Sequence, residues 1–461
     1  MKMEQEERVI FHVDVNSAFL SWSALKRLEE DPGSLDLRTI PSAVGGDVKT
    51  RHGVITAKSI PAKKYGVQTG EPVVKALKKC PQLVLVPSDF ETYRKYSRAM
   101  MEILARYTPI LQQMSIDEAF LDLTERISPR DREGALELAR QIRDTVRQEL
   151  GFTVNVGISS NKLLAKMASD FQKPDRTHTL YPEEVPAKMW PLPINDLYGC
   201  GKQTARKLQL VGINTIGDAA AAELELLQTV LGERTGLHIH NSSNGISRSK
   251  VTPEREQAKS VSNERTLSAD VDRDNYQSEG LPVIRRLSEK VASRLQKAGL
   301  VGQTVTFQVK SADFDRYSRQ TTLSGMTDRA EEIEATALYL ADHLLNGPEG
   351  LFDKGLSIRL IGVGVSRLTV RQMQQMDLFA WAEQNEQEEE ERKAAEEPVR
   401  QQEPARREQI KHQQEPARQA EEKAGQAEEK RLAAGARQEK LNAMMDQING
   451  RYGSGTVKKG E

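Results

Sequence analysis

Cysteine is scarce: the 461 residues hold only Cys80 and Cys200. A disulfide framework and a four-thiolate zinc site are both excluded by that count. No apolar run approaches the roughly 18 residues needed to span a bilayer. The opening MKMEQEERVI is acidic and lacks the apolar core of a signal peptide. The reading is a cytoplasmic chain with no membrane partner. An excess of one charge is also missing, since the formal net charge is −1. Residues 381–461 carry 15 Lys+Arg against 18 Asp+Glu, which leaves 51 against 49 in residues 1–380. Global charge therefore neither supports nor excludes a nucleic-acid partner, and any basic surface must come from local clustering.

The length predicts two to four domains with linkers. Residues 8–15, RVIFHVDV, read as a buried strand delivering Asp14 to an edge. A helix follows over 17–30, with Ser17 as its N-cap. Further strands are predicted at 53–57, 83–86, 110–115, 119–123 and 153–158, and helices at 72–79, 88–107, 129–150 and 161–171. The hairpin over 110–123 makes the sheet antiparallel or mixed. Short helical pieces then run to about Asn241, and NSSNGISRSK (241–250) reads as a linker. A second α/β unit spans about 258–370, with strands near 304–310 and 356–365 and helices at 281–298 and 329–345. Beyond Glu383 the chain is low-complexity, with QQEPAR at 401–406 and 413–418 and AEEK at 420–423 and 427–430. Such a segment reads as disordered or as a solvated helix. Residues 441–448 are amphipathic enough for a short helix.

Asp14 leaves one strand, and Asp117-Glu118 sit between two others in MSIDEAFLDL. An isolated Asp-Glu dipeptide is ordinarily a polar turn. Three carboxylates converging from neighbouring strands would instead suit nucleotidyl transfer, in which two divalent cations bridge the attacking hydroxyl and the triphosphate. Magnesium prefers such hard oxygen ligands.

Three segments in order carry a resemblance. HVDVNSAF (12–19), SIDEAFLD (115–122) and VGISSNKLLAKMASDFQKP (156–174) are similar to three motifs of the Y-family, or translesion, DNA polymerases of the bacterial polymerase IV (DinB) type. The resemblance implies an α+β multidomain fold shaped as a right hand: a palm with a mixed or antiparallel sheet plus helices, fingers, a helix-hairpin-helix thumb and an α/β little finger. The corresponding ranges are 1–18 with 84–172 for the palm, 19–83 for the fingers, 173–241 for the thumb and 258–371 for the little finger. A linker occupies 242–257, a clamp-binding segment 372–382, and a disordered charged tail 383–461.

By resemblance, Asp14, Asp117 and Glu118 are the catalytic metal ligands, with the Val15 carbonyl as a further ligand. The ions would be two Mg2+, with Mn2+ as a substitute. The second residue after the first Asp is often acidic in the family; here it is Asn16. Phe19 takes the place of the steric gate against a ribose 2′-hydroxyl, although a helical core aromatic would look the same. Lys162, near a helix start, matches a phosphate-binding lysine. The family's Tyr and Arg before a Gly-Val are replaced by Ile60 and Lys63 in SIPAKKYGV, so the charge stays while bidentate geometry is lost.

DLYGCGKQTARKLQLVGINTIGDAA (196–220) resembles a helix-hairpin-helix, in which Gly199, Gly201 and Lys202 would hold a DNA phosphate without reading sequence. KSVSNERTL (259–267) resembles the opening of a little finger, where Lys259, Arg265, Lys310, Arg316 and Arg319 are candidate phosphate contacts or simply solvated charges. QMDLF looks like a sliding-clamp peptide: Met376, Leu378 and Phe379 are apolar anchors, with Gln375 and Asp377 beside them. The expected function is template-directed addition of deoxynucleotides to a primer 3′ end, of low fidelity, by a monomer acting on primed DNA and deoxynucleoside triphosphates. The alternatives are a non-catalytic DNA- and clamp-binding relative, which Ile60 and Lys63 allow, and a different palm enzyme such as a nucleotide cyclase, which leaves the thumb-like and clamp-like segments unexplained.

Overall fold

The computed structural model describes residues 8–46, 53–254 and 257–371, with Lys440. The 375–379 peptide, the low-complexity segment and the helix expected over 441–448 lie outside the described residues. Strand β1 (Ile10–Val15) is buried at every position except Asp14. Phe11, Val13 and Val15 alternate with His12 and Asp14, and His12 is buried like its apolar neighbours. Helix α1 (Ala18–Glu30) follows a tight turn. Ser17 stands at its N-cap position, yet it adopts the left-handed region (φ 50°) and makes no capping hydrogen bond. The Ser21 hydroxyl instead donates to the Asn16 carbonyl at 2.7 Å.

A small subsheet comes next, formed by β2 (Ser42–Gly45), β3 (Ile55–Lys58) and, beyond helices α2 (Ile60–Lys64) and α3 (Val73–Lys79), by β4 (Val84–Val86). Its order is β3-β2-β4, antiparallel then parallel. Its own core includes Ala43, Ile55, Ala62, Val67, Val73 and Cys80. β3 starts later than the expected 53–57 because Gly53 is committed elsewhere: its carbonyl accepts from Val73 N at 2.7 Å. β2 was not foreseen, being four residues of small side chains.

The chain then builds α4 (Phe90–Ala105), β5 (Leu111–Gln113), β6 (Glu118–Asp122), α5 (Arg132–Leu150), β7 (Val154–Ser159), α6 (Lys162–Asp170) and β8 (Thr177–Thr179). α4 is capped by Asp89, whose side chain accepts from Glu91 N and Thr92 N, so it begins after Ser88. The main sheet has the order β5-β6-β1-β7-β8, with β1 central and antiparallel to both neighbours and β8 parallel to β7. The mixed sheet is as expected. One face packs on α1, α4 and α5 through Phe11, Val13, Trp22, Met100, Leu121 and Ile142. α6 lies close against β7. A Cβ added to Gly157 would come 2.0 Å from the Ala165 carbonyl oxygen, so only glycine allows that approach.

A helical unit follows, from α7 (Val185–Lys188) through α8 (Lys202–Leu210), α9 (Ile216–Ala221), α10 (Leu224–Leu231) and α11 (Glu233–Ser243). Its core is shared with Leu163, Leu164 and Met167 of α6. The segment read as a linker starts inside α11: Ser242 and Ser243 are buried, and Ser243 Oγ donates back to the Ile239 carbonyl at 2.7 Å. Serine disguises helix as loop there, because its hydroxyl can be satisfied within the helix. The second α/β unit comprises β9 (Ser260–Val271), α12 (Leu281–Lys297), β10 (Leu300–Ser311), β11 (Arg316–Thr327), α13 (Ala330–Leu345), β12 (Ile358–Ser366) and β13 (Thr369–Val370). The sheet order is β11-β10-β12-β9, and its core joins Val305, Phe307 and Val363 to Ile284, Leu287 and Ile333 of the two helices. β9 and β11 escaped the sequence reading because both are edge strands with largely exposed side chains.

Candidate active site

Pairing in the main sheet brings the carboxylates together. Asp14, next to the end of β1, lies directly opposite Glu118 at the start of β6. Val15 N donates to the Asp117 carbonyl at 3.0 Å, which fixes the hairpin bend against the end of β1. Asp117 Oδ1 accepts from Ser115 Oγ at 2.6 Å. A cavity of about 480 Å³ opens at this edge, lined among others by Val15, Phe19, Ile60, Lys63, Asp117 and Lys173.

Two lysines clasp the carboxylates. Lys166 Nζ lies 3.1 Å from Asp14 Oδ2 and 2.7 Å from Glu118 Oε2. Lys173 Nζ lies 3.0 Å from Asp14 Oδ1 and 2.9 Å from Asp170 Oδ1. The hydrogen bond from His12 and then the Lys166 ammonium hold the Glu118 carboxyl at about 2, against the pull of burial. Burial pushes Asp117 up, helped by the charges of Asp14 and Glu118. For Lys166, burial works against the charge, but the Asp14 and Glu118 carboxylates outweigh it and raise the pKa. Two neighbouring carboxyls are thus driven in opposite directions within one hairpin.

The donor set suits a hard divalent cation. Ligand atoms of His12, Asp14 and Glu118 lie within 4.8 Å of one another. Asp117 stands beside them on the cavity wall. Carboxylate oxygens from three residues and the Val15 carbonyl fit magnesium or manganese better than a soft metal.

Phe19 projects from α1 into the cavity lining and stacks on Tyr93, with centroids 4.6 Å apart and planes at 15°. Phe90 meets both rings edge-on, so the Phe19 ring is held by aromatic neighbours. Asn16, where the family often has an acid, is buried in a polar network: Nδ2 donates to Asn155 Oδ1, and Oδ1 accepts from Thr153 Oγ1 and Asp175 N. It braces the turn and does not join the carboxylates.

Lys162 is placed elsewhere. Its Nζ donates to Gln112 Oε1 at 2.7 Å and sits 5.0 Å from the Phe120 ring centroid, and it does not line the cavity. The cations that do line it are Lys58, Lys63, Lys173 and Arg38. Lys58 donates to Thr69 Oγ1 at 3.1 Å, and its pKa is lowered by burial and by the charge of Lys63. Neither Lys58 nor Lys63 forms an ion pair among the described residues, which leaves that wall positive. Sequence reasoning missed His12, Lys58, Lys166 and Lys173. Helical spacing carried part of the signal: Lys166 is one turn beyond Lys162, on the face that meets β1.

Gly199 takes φ 90°, and an added Cβ would lie 2.7 Å from His238 Nε2. Gly201 stands at the N-cap of α8 with open space around it and no side-chain cap, and Lys202 opens that helix. In the second sheet, register divides the basic candidates. Lys310 pairs with Arg316, and both alternate away from the core residue Phe307. Arg319 is opposite Phe307 and Arg265 opposite Ile361, which puts those two on the helix-covered side, at edge strands. Lys259 precedes β9.

The chain matches three family models: the impB/mucB/samB family over residues 13–170, its C-terminal domain over 258–378, and a DNA polymerase-iota thumb domain over 195–247. It is 41% identical over 373 residues to DNA polymerase IV of Clostridium acetobutylicum, covering 81% of this chain and 90% of that one. Against DNA polymerase IV 1 of Bacillus subtilis the identity is 38% over 387 residues, with 83% and 87% covered. In fold it is similar to a Y-family DNA polymerase chimera, with a TM-score of 0.66 at 24% identity, covering 78% of this chain and 99% of that one. With its carboxylates gathered at one sheet edge and these relatives spanning most of its length, the chain belongs to the impB/mucB/samB family, as a DinB-type Y-family DNA polymerase.

Proposed function

We propose that Asp14, Asp117 and Glu118 are the metal carboxylates of a template-directed DNA polymerase, and that the adjoining cavity receives the incoming nucleotide. The protein is a translesion DNA polymerase, a DNA-directed nucleotidyltransferase like its relatives. Enzymes of this kind are metal-dependent; magnesium, with manganese as a substitute, is the ion the oxygen-rich donor set favours. The single observation that carries the reading is the register of β1 and β6, which brings Asp14 and Glu118 face to face beside Asp117 at the cavity mouth.

Divalent ions, when bound there, stabilise the entering and leaving oxygens of an in-line displacement. The chain's own residues supply the rest. Lys58, Lys63 and Lys173 form the cationic wall for the triphosphate, with Lys173 standing where Lys162 was expected. Phe19, backed by Tyr93, closes the sugar side of the cavity against a 2′-hydroxyl. Ile60 adds apolar contact without a hydrogen bond, so nucleotide affinity rests on charge. We assign 1–18 with 84–172 to the palm, 19–83 to the fingers, 173–241 to the thumb and 258–371 to the little finger; the cores around Val73 and Phe307 support the fingers and little finger, while Trp22 packs into the palm core and Leu163, Leu164 and Met167 into that of the thumb.

Primed DNA would be held without base readout. The α8 N-terminus after Gly199 and Gly201, with Lys202, offers a phosphate seat, and Lys310 with Arg316 offers contacts on the open sheet face. Residues 375–379 are proposed to dock on a sliding clamp, with the enzyme acting as a monomer. Magnesium-dependent extension of a primed template tests the reading, with loss in Asp117→Ala/Glu118→Ala as the expected outcome.

A further inference from the structure

His12 has no part in the scheme above, yet it is a fully buried polar side chain two residues before Asp14. Its Nδ1 stands 2.8 Å from Ser169 Oγ and its Nε2 stands 3.1 Å from Glu118 Oε2. The ring packs against Phe120 at 4.7 Å between centroids. Proximity alone would make His12 a third metal ligand with Asp14 and Glu118. Hydrogen-bond direction argues against that.

An ionised carboxylate only accepts. Nε2 therefore has to carry a proton to face Glu118 Oε2, and a protonated ring nitrogen cannot ligate a metal. Ser169 decides which nitrogen holds the proton. Its single hydroxyl proton can go to the Lys166 carbonyl at 2.8 Å or to His12 Nδ1 at 2.8 Å. The Lys166 carbonyl lies inside α6, four residues before Asp170, where the helix supplies its own donor. Turning the hydroxyl to Nδ1 leaves that carbonyl satisfied and places the ring proton on Nε2.

The grip on Glu118 is one-sided. Lys166 Nζ also reaches Oε2, at 2.7 Å, whereas no donor reaches Oε1 among the described residues. We infer that His12 is a positioning residue: with its tautomer set by Ser169, it holds Glu118 by Oε2 and leaves Oε1 as the oxygen offered to a divalent cation. The inference rests on the reading of Asp14, Asp117 and Glu118 as metal carboxylates. Partners that orient a ligand in this way commonly govern metal affinity by about 10–100-fold.

The test uses the full chain and Mn2+ alone, titrated by electron paramagnetic resonance at one fixed pH. His12→Leu should weaken Mn2+ binding about tenfold or more. His12→Gln, which keeps an N–H near the Nε2 position, should stay within about threefold of wild type. Long-range 1H–15N spectra of the wild type should show the proton on Nε2. A bare Nε2, nitrogen coupling to bound Mn2+ that vanishes in His12→Gln, or wild-type affinity in His12→Leu would each overturn the inference. Should His12→Leu fail to fold, Ser169→Ala leaves the ring in place; it should weaken Mn2+ binding several-fold, and unchanged affinity would count against the tautomer lock. Asp117→Ala/Glu118→Ala serves as the separate control: if it binds Mn2+ like wild type, the metal reading itself fails, whatever His12 does.

Discussion

Glu118 shows how a side chain's surroundings set its chemistry. Its carboxyl is held at about 2 in the folded chain, against an ordinary value of 4.5, by His12 and Lys166. A depressed carboxylate stabilises the fold above its unfolded pKa and loses that contribution as pH falls through the folded one. The window is therefore between about pH 4.5 and 2. Denaturant titrations of the metal-free protein should show stability falling across that window, and Glu118→Gln should flatten the fall. Asp117 is shifted the opposite way and will offset part of the effect, so an equal slope in the variant would mean that the His12–Lys166 grip is absent in solution. Phe19 makes a second residue-scale prediction. Removing its ring in Phe19→Ala should raise ribonucleotide incorporation relative to deoxynucleotide by at least about tenfold, since a shape-based exclusion disappears. Competing extension with the two sugars measures it, and an unchanged ratio would make Phe19 a core aromatic only.

Among the elements, α6 and β7 do the positioning. α6 carries Lys166 to the carboxylates and Ser169 to His12, and it can do so only because Gly157 lets it close on the strand. Gly157→Ala drives a Cβ into backbone, which side-chain rotation cannot relieve. It should cost about 1–3 kcal/mol of stability, read by denaturation, and weaken metal-dependent extension as α6 withdraws. Wild-type stability and activity would show that the close approach is dispensable. The same elements show what was legible beforehand. Asp14, Asp117 and Glu118 could be nominated only through their flanking motifs, since an Asp-Glu pair alone reads as a polar turn; the pairing of β1 with β6 is what sets Asp14 opposite Glu118. His12 was not readable, since a histidine in an apolar strand carries no local mark of the Ser169 and Glu118 that meet it from far along the chain. Lys162 was misplaced for the same reason. Its position near a helix start was right, but it stands one turn before Lys166 on the same face of α6, where Gln112, far along the chain, takes its ammonium. The edge strands β9 and β11 were missed because exposed strands lack the apolar periodicity that marks buried ones.

At the scale of the whole molecule, net charge says little while placement says much. A chain of net charge −1 still gathers Lys58, Lys63 and Lys173 along one cavity and sets Lys310 with Arg316 on one open sheet face. The catalytic unit and the proposed clamp peptide also separate along the chain. Removing residues 372–461 should leave magnesium-dependent extension of a short primed template within about threefold of the full chain, while stimulation by a sliding clamp disappears. Equal stimulation of the truncated chain would move the docking site into residues 1–371. The most direct test of the central claim remains magnesium-dependent primer extension by the wild type beside Asp117→Ala/Glu118→Ala. The account predicts template-dependent extension by the wild type and a fall on the order of a thousandfold or more in a folded double variant. Comparable extension by both proteins would contradict it.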